Sequence, residues 1–278
     1  MDIRPVAGAL GAEILGVDLA VGLAATQAQQ IREAFVEHHV VFFRDQVISP
    51  EQQVTFTQLF GEPDIYPFIA GMPDVPEVIE IVKTESDAVN FGGSWHSDTS
   101  YMPEPALGTV LYAVEVPDAG GDTLFANTAA AYDALSIGMQ RMVSELVGVN
   151  SSDNGYGGSR ARAMDKLNAM KGAYNVESAS YESEHPIVRT HPETGRKSLY
   201  IGRGHTARFK NMTAPESKPL ITYLTEHIAQ PEFTCRFRWQ PGSIAVWDNR
   251  STQHYALNDY AGKRRHMRRV TIKGDKPF

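Results

Sequence analysis

One cysteine, Cys235, stands in the 278 residues of this chain. A lone thiol closes no disulfide within the chain, so a reducing compartment is the expected setting. Cys235 lies in FTCRFRW, which alternates like a strand, and reads as a buried structural thiol. Long apolar runs are missing too. None approaches the roughly 20 residues needed to cross a bilayer. The start, MDIRPVAGALGAEI, has no charged opening followed by an apolar stretch, so no signal peptide is read and a cytoplasmic protein is expected. Basic charge is scarce: 26 Lys and Arg stand against 33 Asp and Glu, a net of -7 with a pI near 5.7. Without a polybasic stretch longer than Lys263-Arg264-Arg265, nucleic acid is not an expected partner. No Ser/Gly linker, low-complexity block or internal repeat divides the chain, which suggests one domain over 1–278.

Helical patterns open the chain. Thr26-x-x-Gln29 has the form of a capping box, and Ile31, Ala34 and Phe35 share a face up to His38. Ser49 followed by Pro50 marks a second helix that stops at Gly61. Thr213-x-x-Glu216 caps a third through Ile228, and Ala129–Leu135 and Ile137–Leu146 add shorter ones. The rest is mostly strand: Val40–Phe43, Val78–Val82, Thr109–Val114, Thr123–Phe125, Phe233–Trp239, Ser243–Trp247 and Arg269–Ile272. Many short strands with helices in front suggest an antiparallel barrel or jelly roll. The stretch 151–183 begins SSDNGYGGS and has little periodicity, which suggests a lid or insertion.

Chemistry concentrates in SWHSDTSY. On a strand, residues two apart share a face, so His96 and Asp98 would aim a nitrogen and a carboxylate oxygen at one point. That mixed donor pair suits an intermediate metal, and one more histidine would complete the facial triad of non-haem iron(II). Alone, His-x-Asp is more often a surface or hydrogen-bonded pair than a ligand pair. His38 and His39 end a helix, where a cation suits the dipole. His185 and His191 precede prolines, His227 fits an amphipathic helix, and His266 points away from its arginine neighbours. His205, after Gly202-Arg203-Gly204, and His254, after a strand and turn, stay as candidates.

WHSDTSYM, PDAGGDTLFAN, WDNRSTQHYALNDY and KRRHMRRVTI, in this order, resemble the taurine and aryloxyalkanoate dioxygenase family. The likeness runs from GAEILGVDL near the start to the final GDKPF. It implies a double-stranded β-helix (mostly β with peripheral helices), Fe(II) as cofactor, and 2-oxoglutarate and O2 as co-substrates. It implies His254 as the third ligand beside His96 and Asp98. It also implies Arg265, eleven residues beyond His254, and Thr123 as the grip on the far carboxylate of 2-oxoglutarate. A guanidinium offers that carboxylate a planar, bidentate clamp, which lysine cannot. Standing alone, Arg265 would read as a surface arginine and Thr123 as an ordinary strand threonine.

Arg269, four beyond Arg265 and on the same strand face, matches the family arginine that meets an anionic substrate head. The resemblance therefore implies hydroxylation of a small organic anion (sulfonate, sulfate ester or aryloxyalkanoate), next to a heteroatom so that the product fragments. Tyr66, Ile69 and Gly92 stand where taurine enzymes carry more polar residues, so taurine itself is not expected. Thr99 falls at a pocket-lining position, while Tyr66 and Ile69 also read as core packing. A homo-oligomer, dimer or tetramer, is expected. Two alternatives compete: a zinc hydrolase or isomerase on a similar barrel, and a non-catalytic binding barrel. Neither needs the diacid clamp of Thr123 and Arg265, nor open iron positions.

Overall fold

The computed structural model describes residues 1–154 and 180–278. Its strands are β1 (Asp2–Pro5), β2 (Ala12–Leu15), β3 (Val40–Phe43), β4 (Pro63–Asp64), β5 (Val78–Lys83), β6 (Gly108–Glu115), β7 (Thr123–Asn127) and β8 (Val147–Ser151). They continue with β9 (Glu182–Pro186), β10 (Val188–Thr190), β11 (Lys197–Leu199), β12 (Thr206–Phe209), β13 (Thr234–Phe237), β14 (Ile244–Asp248), β15 (Thr252–Ala256) and β16 (Arg265–Ile272). The helices are α1 (Ala25–His38), α2 (Pro50–Thr57), α3 (Thr128–Asp133), α4 (Ile137–Ser144) and α5 (Ala214–Ile228).

The larger sheet has eight strands in the order β1-β2-β3-β14-β6-β16-β4, with β5 also paired to β16. A smaller sheet, β13-β7-β15, faces it. Alternation decides what lies between them. Val40 and Phe42 of β3 point to the inter-sheet core with Phe125, Phe237, Ala245, Trp247 and Met267. Val41 and Phe43 point the other way, onto Ile31, Ala34 and Phe35 of α1 and Phe56 of α2. Strands buried on both faces read as unbroken apolar runs, which is why VVFF and IAVW were legible. Phe42 stacks on Phe237 at 4.1 Å between ring centroids and ties the two sheets together. This is the expected mostly-β jelly roll with peripheral helices. Among the described residues, no helix is long and apolar enough to cross a membrane.

Local chemistry corrects several boundaries. The N-terminal helix starts at Ala25, because Gln27 Oε1 accepts the Ala24 N–H at 3.0 Å; Thr26 and Gln29 form no capping box. In the second helix Ser49 is the cap, as expected, and Gln52 caps it in return, but the helix ends at Thr57 and only turns carry the chain to Gly61. The expected insertion at 151–183 is strand at its edges, where Ser151 pairs with Glu182 and Asn150 with Ser183. Its middle, 155–179, lies outside the described residues. A strand absent from the sequence reading, β15, carries His254.

Candidate active site

His96 and Asp98 do not share a strand. His96 makes an isolated antiparallel bridge to His254, its N–H donating to the His254 carbonyl at 3.1 Å and the reverse bond at 2.9 Å. The chain then turns through Asp98, and Thr99 adopts a left-handed φ of 48°. Even spacing is therefore not what brings the pair together. The bridge sets the two imidazoles side by side, with centroids 4.2 Å apart. Asp98 is brought to them by its partners: its N–H donates to Asn249 Oδ1 at 3.1 Å, and its Oδ2 accepts from Thr109 Oγ1 at 2.9 Å and Asn249 Nδ2 at 3.3 Å. That leaves Oδ1 facing Nε2 of both histidines at 3.7 Å.

The three ligand atoms lie within 4.8 Å of one another. Ligands about 2.1 Å from a shared ion stand roughly 3–3.6 Å apart, and the two 3.7 Å gaps from Asp98 Oδ1 come close to that spacing. Protonation states agree. Burial alone would raise the Asp98 pKa, but Arg269, then His254 and His96, hold it well below the usual carboxylate range. Burial, then the His96 ring, pushes His254 well below its ordinary value. His96 Nδ1 lies 2.7 Å from the Ser94 carbonyl and, as the donor there, leaves Nε2 its lone pair. A divalent ion takes a carboxylate and neutral imidazoles, which the surroundings of Asp98 and His254 favour, and the N2O set suits iron(II).

A cavity opens beside the triad. His96, His254, Gly92, Thr123, Arg265 and Arg269 line it, among apolar walls from Ile81, Leu111 and Trp247. Arg265 is buried, and its Nε and Nη2 have no hydrogen-bond partner among the described residues. Thr123 Oγ1 accepts from Trp239 Nε1 at 3.0 Å, which leaves its own proton free to donate elsewhere. Orphaned guanidinium donors and a hydroxyl donor in a narrow apolar slot suit an acceptor-only group with two oxygens, a carboxylate. The residues present thus fit both an ion and a keto diacid.

The predicted substrate-side residues divide. Arg269 shares the cavity with Arg265 because the β6–β16 bulge adds a residue to β6 and leaves the alternation of β16 intact. Its Nη2 lies 3.1 Å from Asp98 Oδ1, and its guanidinium sits 5.1 Å from the Tyr66 ring centroid. Gly92 lines the cavity at φ 80°, and a Cβ there would stand 3.4 Å from His96 Cε1. Tyr66 backs Arg269, whereas Ile69 packs with Phe68, Ile79 and Tyr101 as core. Thr99 accepts the Ala106 N–H at 2.8 Å and is not on the cavity wall.

Two histidines also need correction. His39 is buried rather than a solvated cation at a helix end, with Nδ1 2.8 Å from Ser251 Oγ. His191 Nε2 is 3.0 Å from Asp248, which is ion-paired to buried Arg250. These contacts brace the turn that carries Asn249. Sequence reasoning missed Asn249, Thr109 and Trp239; nothing in WDNR alone says that its Asn would reach a carboxylate from a distant loop.

A family model described as taurine catabolism dioxygenase TauD, TfdA family, matches residues 2–271. An alkylsulfatase from Acinetobacter baylyi is 36% identical over 277 residues, covering 99% of this chain and 86% of its own. An alpha-ketoglutarate-dependent sulfate ester dioxygenase from Pseudomonas putida is 36% identical over 278 residues, covering 100% and 91%. The crystal structure of a taurine dioxygenase from Burkholderia xenovorans superposes with a TM-score of 0.83 at 35% identity, covering 99% of this chain and 92% of its own.

Proposed function

The chain belongs to the TauD/TfdA family of dioxygenases, and from that premise we propose that it hydroxylates a small alkyl sulfate ester on the carbon bearing the ester oxygen. It is an iron(II)- and 2-oxoglutarate-dependent oxidoreductase that acts on a small organic anion. The zinc hydrolase and the non-catalytic barrel fall with that membership. The observation that carries the proposal is the orphaned Arg265–Thr123 clamp opening onto the same cavity as the His96–Asp98–His254 triad. Relatives named for sulfate esters, at 36% identity over 99% and 100% of the chain, support that class, although identity alone does not set it above taurine, since the taurine dioxygenase stands at 35%. Gly92, on the cavity wall, offers no polar grip on an amine, while Ile69 lies in the core.

His96, Asp98 and His254 would hold Fe(II); when bound, it activates O2 while 2-oxoglutarate is oxidised to succinate and CO2, and an oxygen atom goes to the substrate. The residues of the chain supply placement. Arg265 and Thr123 receive the far carboxylate of 2-oxoglutarate. Asn249 and Thr109 fix the Asp98 carboxylate, and Arg269 meets its inner oxygen while Nε, buried without a partner, can receive the sulfate head. Apolar Leu111 and Trp247 keep water from the reacting carbon. Hydroxylation there gives a hemiacetal sulfate, which separates into an aldehyde and inorganic sulfate.

The test is a panel of alkyl sulfates, taurine and aryloxyacetates, scored by substrate-dependent succinate release and by sulfate formed. We expect an alkyl sulfate to exceed taurine by at least about tenfold in kcat/KM, a difference of about 1.4 kcal/mol. Equal or faster turnover of taurine or an aryloxyacetate overturns the substrate class. A homo-oligomer and a cytoplasmic location complete the proposal; light scattering on the purified protein checks the first.

A further inference from the structure

Lys83 ends β5 inside the protein, only 4% exposed. Its Nζ is buried without a hydrogen-bond partner, and among the described residues it makes no ion pair. Its one contact of note is the face of Tyr260, 4.5 Å from the ring centroid. A buried ammonium with no anion is costly, and such groups are normally paired.

Its position gives the reason. Lys83 stands directly opposite Arg265 in the antiparallel β5–β16 pair, so both side chains project from the same face. Ile81, two residues before it on β5, lines the cavity, as does Arg265. The Tyr260 ring and the stem of Arg265 meet at Gly121, where an added Cβ would touch them at 3.3 and 3.4 Å. Lys83, Tyr260 and Arg265 therefore form one cluster at the cavity end away from Asp98. Nearby carboxylates are engaged with other arginines: Asp122 pairs with Arg236 at 2.6 Å, and Glu115 with Arg264 at 3.0 Å. Two buried cations thus share a site in which, among the described residues, neither has a carboxylate in ion-pair contact; Asp122 acts on Arg265 from a distance while it binds Arg236.

We propose that Lys83 is a second cation for the far carboxylate of 2-oxoglutarate, behind Arg265, and that it sets the preference for a keto diacid over a keto monoacid. The proposal rests on the functional reading above. With Lys83 behind Arg265, the far carboxylate would meet the field of two buried cations, whereas a keto monoacid, with no charge at that end, would gain nothing from the second.

The experiment uses the full chain, loaded anaerobically with Fe(II). 2-Oxoglutarate and 2-oxopentanoate, a keto acid of the same chain length without the far carboxylate, are each titrated and followed by the visible charge-transfer band. Lys83→Met keeps the stem and removes the charge. We expect it to weaken 2-oxoglutarate about tenfold while 2-oxopentanoate stays within about twofold. Lys83→Arg should restore most of the diacid affinity. Because a lone buried charge is removed, the Tm of the metal-free Lys83→Met protein should stay level or rise. Unchanged 2-oxoglutarate affinity overturns the proposal, since Lys83 would then only pack on Tyr260. Equal weakening of both keto acids, or a metal-free Tm several degrees lower, overturns it in favour of a structural role. If the wild-type protein bound neither acid, the functional reading itself would fail, and this inference with it.

Discussion

Asp98 is held by more partners than its own motif contains. Asn249 receives its N–H and donates to its Oδ2, while Trp247 Nε1 donates to Asn249 Oδ1 at 3.1 Å and fixes that amide. Groups that orient a metal-binding carboxylate are commonly worth about 10–100-fold in metal affinity. Asn249→Asp loses the donor and sets a second carboxylate against Asp98. We expect Fe(II) affinity to fall by about tenfold or more, read by anaerobic titration; unaltered affinity would show that Thr109 and Arg269 suffice. Arg265→Lys keeps charge but loses the parallel pair of bonds, so the Kd for 2-oxoglutarate should rise about tenfold while that for substrate moves little. A larger change in substrate affinity would place Arg265 on the wrong ligand. At this scale the ordered motifs single out His96, Asp98, His254, Thr123 and Arg265, and the structure brings these residues together at the triad and its cavity. Asn249 and Lys83 were not legible, because their meaning depends on what tertiary structure sets opposite them.

The end of α1 shows how an element hides a buried polar group. His39 caps it with a left-handed φ of 65°, its N–H returning to the Phe35 carbonyl. Its ring turns inward to Ser251, on the turn beside Asn249. Burial lowers its pKa from 6.5 to about 4, against the opposing pull of Asp248. Between those values the unfolded chain binds a proton that the folded one refuses. The stability His39 lends is therefore present above 6.5 and lost as pH falls toward 4, by about 2 kcal/mol at pH 5. Asn tolerates the left-handed region, so His39→Asn is the comparison. Urea unfolding at pH 7 and pH 5 should show the wild type losing about 2 kcal/mol more than the variant. Equal losses would mean that His39 keeps its ordinary pKa in the fold. Elements with two apolar faces, such as β3 and β14, were plain in the sequence. In β15, Thr252, Gln253 and His254 are all buried, His254 on the cavity and the other two donating to the Asp248 and Ile201 carbonyls, so neither period nor hydropathy marks it.

At the scale of the whole molecule, the sheet order was not legible from periodicity. The central partners of β14 are β3 and β6, which lie far from it in sequence, and the jelly roll came from the ordered motifs. The candidate triad uses that non-local order. His254 belongs to the smaller sheet, and His96 bridges to it by backbone. Asp98 is tied to the larger sheet through Thr109 of β6 and Arg269 of β16. An ion between them would join the two sheets at a point where the apolar core gives way to the cavity. The unfolded chain has no such cluster, so metal binding should add to folding stability in full. At a free ion concentration near 100 times Kd, the gain is about 2.7 kcal/mol. For a chain of this size that corresponds to a Tm higher by about 5 °C or more. Mn(II), which avoids air oxidation, serves as the probe. His254→Gln should keep a metal-free Tm near that of the wild type and lose most of the Mn(II)-dependent rise. A rise that survives in this variant would place the ion away from the His96–Asp98–His254 cluster. A rise absent from the wild type would show that the cluster does not bind the ion.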